Sequence, residues 1–142
     1  MRGAFCKGNM ATILIIEDEA HIARAVRDEI SHEGHLVDSV TSGPLALKFL
    51  EKSIPDLIIL DVLMPDMDGF EVVERLKADS STSSIPIMML TVLSQDDKFQ
   101  KLGVDAHLTK PYRGADLIRM VRDVLSRKSG GADGKQKDPS RG

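Results

Sequence analysis

Positions 57–61 carry the sequence Leu-Ile-Ile-Leu-Asp, four apolar residues followed by a carboxylate. A second uninterrupted apolar run, Ile-Leu-Ile-Ile, occupies positions 13–16, and Glu17 and Asp18 follow it directly. Apolar residues that do not alternate with polar ones are typical of strands covered on both faces, as in a parallel sheet. These two segments therefore predict a parallel sheet with helices packed on both sides.

Five apolar runs alternate with amphipathic segments along the chain. The predicted strands are Thr12–Ile16, Leu36–Val40, Leu57–Leu60, Ile87–Leu90 and Ala106–Thr109. Each is followed by a helical pattern, of which Ser94–Leu102 is the weakest because only Phe99 and Leu102 anchor it. Strand–helix alternation implies right-handed crossovers and a single doubly wound α/β domain. Five strands favour the flavodoxin-like order 2-1-3-4-5 with five helices.

Length and composition narrow the classes of function. The 142 residues suit one domain, and a net charge of −3 without a basic stripe does not favour nucleic-acid binding. No apolar run approaches the ~20 residues of a membrane span, and the single cysteine, Cys6, fits a reducing compartment. We expect a cytoplasmic protein with a flexible lead-in (1–11), one domain (12–128) and a flexible, apolar-poor tail (129–142).

Chemically reactive side chains follow the predicted strands. Beside Glu17, Asp18 and Asp61, these are Thr91 after the fourth strand and Lys110 after the fifth. The carboxyl ends of parallel strands share one edge of the sheet, where ligands bind. Carboxylates gathered there need positive charge, which a hard cation such as Mg²⁺ can supply. Because a lysine and a hydroxyl can hold phosphoryl oxygens, the pattern predicts phosphoryl transfer to a carboxylate.

The order and spacing of these residues resemble the receiver domain of bacterial two-component response regulators. The segment 60–69, Leu-Asp-Val-Leu-Met-Pro-Asp-Met-Asp-Gly, is the most specific part of the resemblance. The other matching positions are Glu17-Asp18, Thr91 and Lys110-Pro111. The resemblance covers the whole predicted domain. We also expect the Lys110–Pro111 bond to be cis, since such bonds occur in turns of this kind.

The resemblance implies a role for each matching residue. Asp61 would accept a phosphoryl group from a sensor histidine kinase or a phosphotransfer protein, and Thr91 and Lys110 would hold that group. The implied ligands of Mg²⁺ (or Mn²⁺) are Asp18, Asp61, the backbone carbonyl of Leu63 and, through water, Glu17. Phosphorylation would change a surface that a downstream protein recognises, without direct contact between this domain and nucleic acid or membrane.

Three positions depart from the pattern of the family. His107 stands three residues before Lys110, where receivers usually carry Tyr or Phe as the switch residue that acts with the threonine. Imidazole is smaller, polar and titratable. Thr91 and Lys110 are 19 positions apart, about one turn of roughly 3.6 residues fewer than in most receivers, which predicts a short fourth helix. Val92 follows Thr91 where a smaller residue is usual. We expect the chemistry to be kept and the switch formed by Thr91 and His107 to be unusual.

Other classes of protein fit the sequence less well. A haloacid-dehalogenase phosphatase needs a second acid two residues after its strand-end aspartate, where Leu63 stands. A flavodoxin needs a phosphate loop at positions 17–19, which are Glu-Asp-Glu, and no Gly-rich nucleotide fingerprint follows any strand. The alternative that stays open is a degenerate receiver, a binding module that signals without phosphorylation. The cognate kinase and the output also stay open.

Overall fold

The computed structural model describes residues 10–62, 67–92 and 96–131, and within them strands and helices alternate. The strands are β1 (Thr12–Ile16), β2 (Leu36–Val40), β3 (Leu57–Asp61), β4 (Ile87–Thr91) and β5 (Ala106–Thr109). The helices are α1 (Ala20–Ser31), α2 (Gly43–Leu50), α3 (Gly69–Ala78), α4 (Asp96–Leu102) and α5 (Gly114–Gly131). All five predicted strands are present, and β3 and β4 each extend one residue further, to Asp61 and Thr91.

The strands form one parallel sheet in the order β2-β1-β3-β4-β5. This confirms the predicted flavodoxin-like doubly wound arrangement. In the register, Ile16 lies opposite Leu60, Asp61 opposite Leu90, and Thr91 opposite Thr109. The ends of β1, β3, β4 and β5 therefore reach the same edge of the sheet, which is where the reactive side chains were expected.

Two apolar layers cover the sheet, one on each face. Successive strand residues point to opposite faces, so Leu57 and Ile59 pack with α1 and α5, whereas Ile58 and Leu60 pack with α2, α3 and α4. None of these four side chains is more than 1% exposed. This two-sided burial is the physical reason for the uninterrupted apolar sequence of β3.

Helix ends follow local sequence signals. Helix α1 stops before Gly34, whose φ of 94° lies in the left-handed region that favours glycine. The carboxylate of Asp68 caps α3 by accepting a hydrogen bond from the Glu71 amide at 2.9 Å. Within the described residues, helix α4 spans the 7 residues Asp96–Leu102, in agreement with the predicted short fourth helix. Helix α5 is described as far as Gly131, the last described residue, and the domain boundary after residue 128 stays a prediction.

Burial and hydrogen bonds hold the first described residues against the rest of the domain. Ala11, assigned to the lead-in by sequence, is buried, and its amide donates a hydrogen bond to His35 Nδ1 at 3.1 Å. The carboxylate of Asp56 accepts hydrogen bonds from the amide and hydroxyl of Thr12. In the part of the chain that the structure describes, no helix is long and apolar enough to cross a membrane.

Candidate active site

Lys110 brings two carboxylates together at the carboxyl edge of the sheet. Its Nζ lies 2.9 Å from Asp61 Oδ2 and 3.7 Å from Glu17 Oε1. Glu17 is 4% exposed and Asp61 8% exposed. Burying charges is costly unless they are paired, and surface ion pairs contribute little to stability. Lys110 and the two carboxylates therefore form a largely buried charged cluster, which makes this edge of the sheet the candidate site.

The sheet positions this cluster through its backbone. The amide of Lys110 donates to the Thr91 carbonyl at 2.8 Å, which ties the turn after β5 to the end of β4. The amide of Glu17 donates to the Val40 carbonyl at 3.0 Å, which fixes the residue after β1. Thr91 itself is fully buried at the end of β4. The Lys110–Pro111 peptide is cis, as predicted.

The electrostatics of the cluster differ between its members. Burial raises the pKa of Glu17 to about 7, and the charge of Asp61 adds to this, whereas the Glu19 amide and Lys110 oppose it. Burial lowers the pKa of Lys110, but the hydrogen bond and charge of Asp61, together with Glu17, outweigh burial, so the pKa is raised. Lys110 is therefore a permanent cation at neutral pH, and Glu17 is a carboxylate that further positive charge would stabilise.

Of the residues expected to bind a metal, the structure brings Glu17 and Asp61 together at Lys110. Asp18 is exposed, directly after the buried Glu17, and Leu63 lies outside the described residues. Among the residues that the structure does describe, no three His, Cys, Asp or Glu side chains are arranged as a metal site. The donor chemistry nevertheless fits a hard cation, because the carboxylates of Glu17, Asp18 and Asp61 lie at or beside this edge.

His107 contacts an aromatic ring on α4, and the sequence did not predict that contact. Its imidazole is half-buried, and its centroid lies 4.8 Å from that of Phe99, with the ring planes at 45°. Phe99, on α4, stacks in turn on Phe70 of α3 at 5.7 Å. The ammonium of Lys98 lies 3.9 Å from the centroid of the Phe70 ring. An amphipathic pattern shows that Phe99 faces the core, but it does not show which strand residue it meets.

A cleft beside Lys110 also has no local sequence signal. It has a volume of about 440 Å³ and lies between α1 and α5, with His21, Glu29 and Tyr112 among its lining residues. Burial raises the pKa of the Tyr112 phenol, which is therefore protonated at neutral pH. The residues that line the cleft come from segments about ninety residues apart in the chain, so only the fold brings them together.

The family model for the response regulator receiver domain matches residues 13–122. The chain therefore belongs to the receiver domains of two-component response regulators. Among curated proteins, it is similar to the transcriptional regulatory protein AfsQ1 of Streptomyces coelicolor, with 39% identity over 83% of this chain and 52% of that protein. It is also similar to the DNA-binding dual master transcriptional regulator RpaA of Synechocystis, with 38% identity over 83% of this chain and 50% of that protein. The chain spans about half the length of these relatives.

Solved structures show the same fold. The chemotaxis response regulator CheY4 of Vibrio cholerae superposes with a TM-score of 0.77 at 30% identity, over 82% of this chain and 99% of that one. The receiver domain of the sensor histidine kinase PA1611 of Pseudomonas aeruginosa gives a TM-score of 0.75 at 25% identity, over 83% of this chain and 99% of that one. That domain was solved with a magnesium ion coordinated in its active site cleft.

Proposed function

We propose that this receiver accepts a phosphoryl group on Asp61 and that phosphorylation changes a protein-binding surface. The observation that carries the proposal is the partly buried contact of 2.9 Å between Lys110 Nζ and Asp61 Oδ2. A protonated lysine on a nearly buried carboxylate marks the place where an added phosphoryl group would find its counter-charge. The cognate donor is a phosphohistidine of a sensor kinase or a phosphotransfer protein.

The transfer needs one bond to form and one to break. An oxygen of the Asp61 carboxylate attacks phosphorus, a P–O bond forms, the P–N bond to the donor histidine breaks, and that imidazole takes a proton. Lys110 holds the phosphoryl oxygens, and the Thr91 hydroxyl donates a hydrogen bond to one of them. These side chains act by position and charge, because no proton has to leave Asp61.

A divalent cation, Mg²⁺ or Mn²⁺, completes the proposed site. Asp18 and Asp61 would bind it directly, Glu17 through water, and Leu63 through its carbonyl. It supplies positive charge on the phosphoryl oxygens. The magnesium ion in the receiver domain of PA1611 supports this assignment by analogy.

The output is proposed to be a protein contact in the cytoplasm. Two of the relatives are named as transcriptional regulators, and we propose a regulatory output of the same class. This domain would act through another protein surface and not by touching nucleic acid itself. The net charge of −3 is consistent with this assignment.

The test is metal-dependent phosphorylation by a small donor. Purified protein is incubated with acetyl phosphate, with Mg²⁺ or with a chelator, and the phosphorylated fraction is followed over time. We expect phosphorylation with Mg²⁺ only, and a severe loss for Asp18→Ala. The matched control is Asp38→Ala, which removes an exposed carboxylate from β2, away from the site. If Asp18→Ala and Asp38→Ala retain equal rates, Asp18 is not a ligand.

A further inference from the structure

Gly69, the first residue of α3, packs directly on the backbone that carries Asp61. A methyl group at this position would lie 2.6 Å from the Asp61 carbonyl oxygen and 2.7 Å from the Val62 Cα. The Gly69 amide also donates to the Val62 carbonyl at 2.7 Å. Backbone atoms cannot rotate away from such a contact as a side chain can. Only glycine therefore allows α3 to approach the end of β3 this closely.

Helix α3 has little freedom to relieve the contact by moving away. Val72 and Val73 are fully buried, and Leu76 is 1% exposed, in the same apolar layer as Leu60 and Val62. Close-packed interiors transmit such strain because they hold few voids. A side chain at position 69 would therefore displace the Asp61–Val62 backbone, and with it the carboxylate that meets Lys110.

A second glycine makes a similar but softer contact nearby. A methyl group at Gly43, on α2, would lie 2.8 Å from Met67 Sδ and 2.9 Å from Val72 Cγ2. These are side-chain atoms, and the methionine end is flexible. The two glycines can therefore be compared directly: an added methyl group would meet the backbone of Asp61 at Gly69 but only side chains at Gly43.

We infer that Gly69 is a positioning residue for Asp61: its missing side chain sets where the carboxylate stands relative to Lys110. The inference rests on the proposed function for its consequence, because misplacing Asp61 slows a reaction only if Asp61 accepts the phosphoryl group. The geometric part, the Asp61–Lys110 contact, can be measured without any phosphodonor.

The experiment compares Gly69→Ala and Gly43→Ala with Val124→Ala, which shortens a side chain 1% exposed in α5, on the opposite face of the sheet. Three quantities are measured at a temperature where each variant is folded. They are the free energy of unfolding, the NMR signals of the Lys110 ε-methylene in metal-free protein, and the rate of phosphorylation by acetyl phosphate with Mg²⁺. Val124→Ala supplies the effect of lost stability alone.

For Gly69→Ala we expect shifted Lys110 signals and a rate at least about tenfold lower, since a misplacement of about 1 Å can be that costly. Gly43→Ala and Val124→Ala should keep the Lys110 signals and change the rate by less than about threefold. Unchanged Lys110 signals and an unchanged rate in Gly69→Ala would overturn the inference.

Two further outcomes are separable. If the wild type takes up no phosphate, the proposed function fails, and the Lys110 signals in Gly69→Ala still decide the positioning role. If Gly69→Ala does not fold, hydrogen exchange of the Gly69 amide in the wild type tests the close packing of α3 on the end of β3 instead. Protection comparable to that of β3 supports the close contact with Val62, whereas exchange as fast as in an exposed loop overturns it.

Discussion

The imidazole of His107 on β5 and the phenyl ring of Phe99 on α4 lie 4.8 Å apart, centroid to centroid. Receivers resembling this one usually carry the aromatic ring on the strand itself. Here the strand supplies the polar ring, and the helix supplies the apolar ring, which is 2% exposed. The contact joins helix α4 to β5, the edge strand of the sheet.

His107→Tyr is expected to strengthen the response of α4 and β5 to phosphorylation. A tyrosine ring gains more from burial than an imidazole, which is polar and costs free energy when it leaves water. The measurement is the change in backbone NMR shifts of α4 and β5 on adding a phosphoryl mimic, for the wild type and the variant. His32→Tyr, at an exposed position after α1, is the control. Equal responses in wild type and His107→Tyr would show that His107 is not the switch.

Phe99→Ala is expected to lower the free energy of unfolding by about 3 kcal/mol or more, as large-to-small changes of buried aromatics do. The substitution removes both the stacking of Phe99 on Phe70 and its tilted contact with His107. Chemical denaturation measures the loss of free energy. Phe49→Ala, a half-buried ring on α2, should cost less. Equal losses for the two variants would mean that Phe99 does not anchor α4.

His35 is expected to make stability depend on pH. Burial lowers the pKa of its imidazole below the usual 6.5, and Arg122 adds to this, whereas Glu33 and Asp56 oppose it. Between the lowered pKa and 6.5, the His35 imidazole is therefore protonated in the unfolded chain but neutral in the folded protein. The stabilisation is complete above pH 6.5 and is lost as the pH falls from there through the lowered pKa.

The measurement is denaturant unfolding of wild type and His35→Gln between about pH 7.5 and about pH 5. The stability advantage of the wild type should shrink toward the acid end. His32→Gln, an exposed neighbour, should run parallel to the wild type throughout. If His35→Gln also runs parallel to the wild type, burial of the His35 imidazole is not a source of pH-dependent stability.

The sequence was most informative where a single physical cause dominates. Burial on both faces dictates an uninterrupted apolar run, so β1 and β3 could be placed to within a residue. The positions of Asp61, Thr91 and Lys110 at strand ends then followed from topology. Contacts between segments distant in the chain left no such trace. Two such contacts are those of Phe99 with His107 and of Gly69 with the Asp61 backbone. Both depend on how the helices pack on the sheet.

The central claim is that Asp61 is the phosphoacceptor. Its most direct test is intact-mass measurement of wild type and Asp61→Asn after incubation with acetyl phosphate and Mg²⁺. Asparagine keeps the size of the side chain but removes the nucleophilic carboxylate. We predict that the wild type gains one phosphate and that Asp61→Asn, folded to the same extent, gains none. A wild type that stays unmodified under saturating donor, or an Asp61→Asn variant modified as fully as the wild type, would contradict the claim.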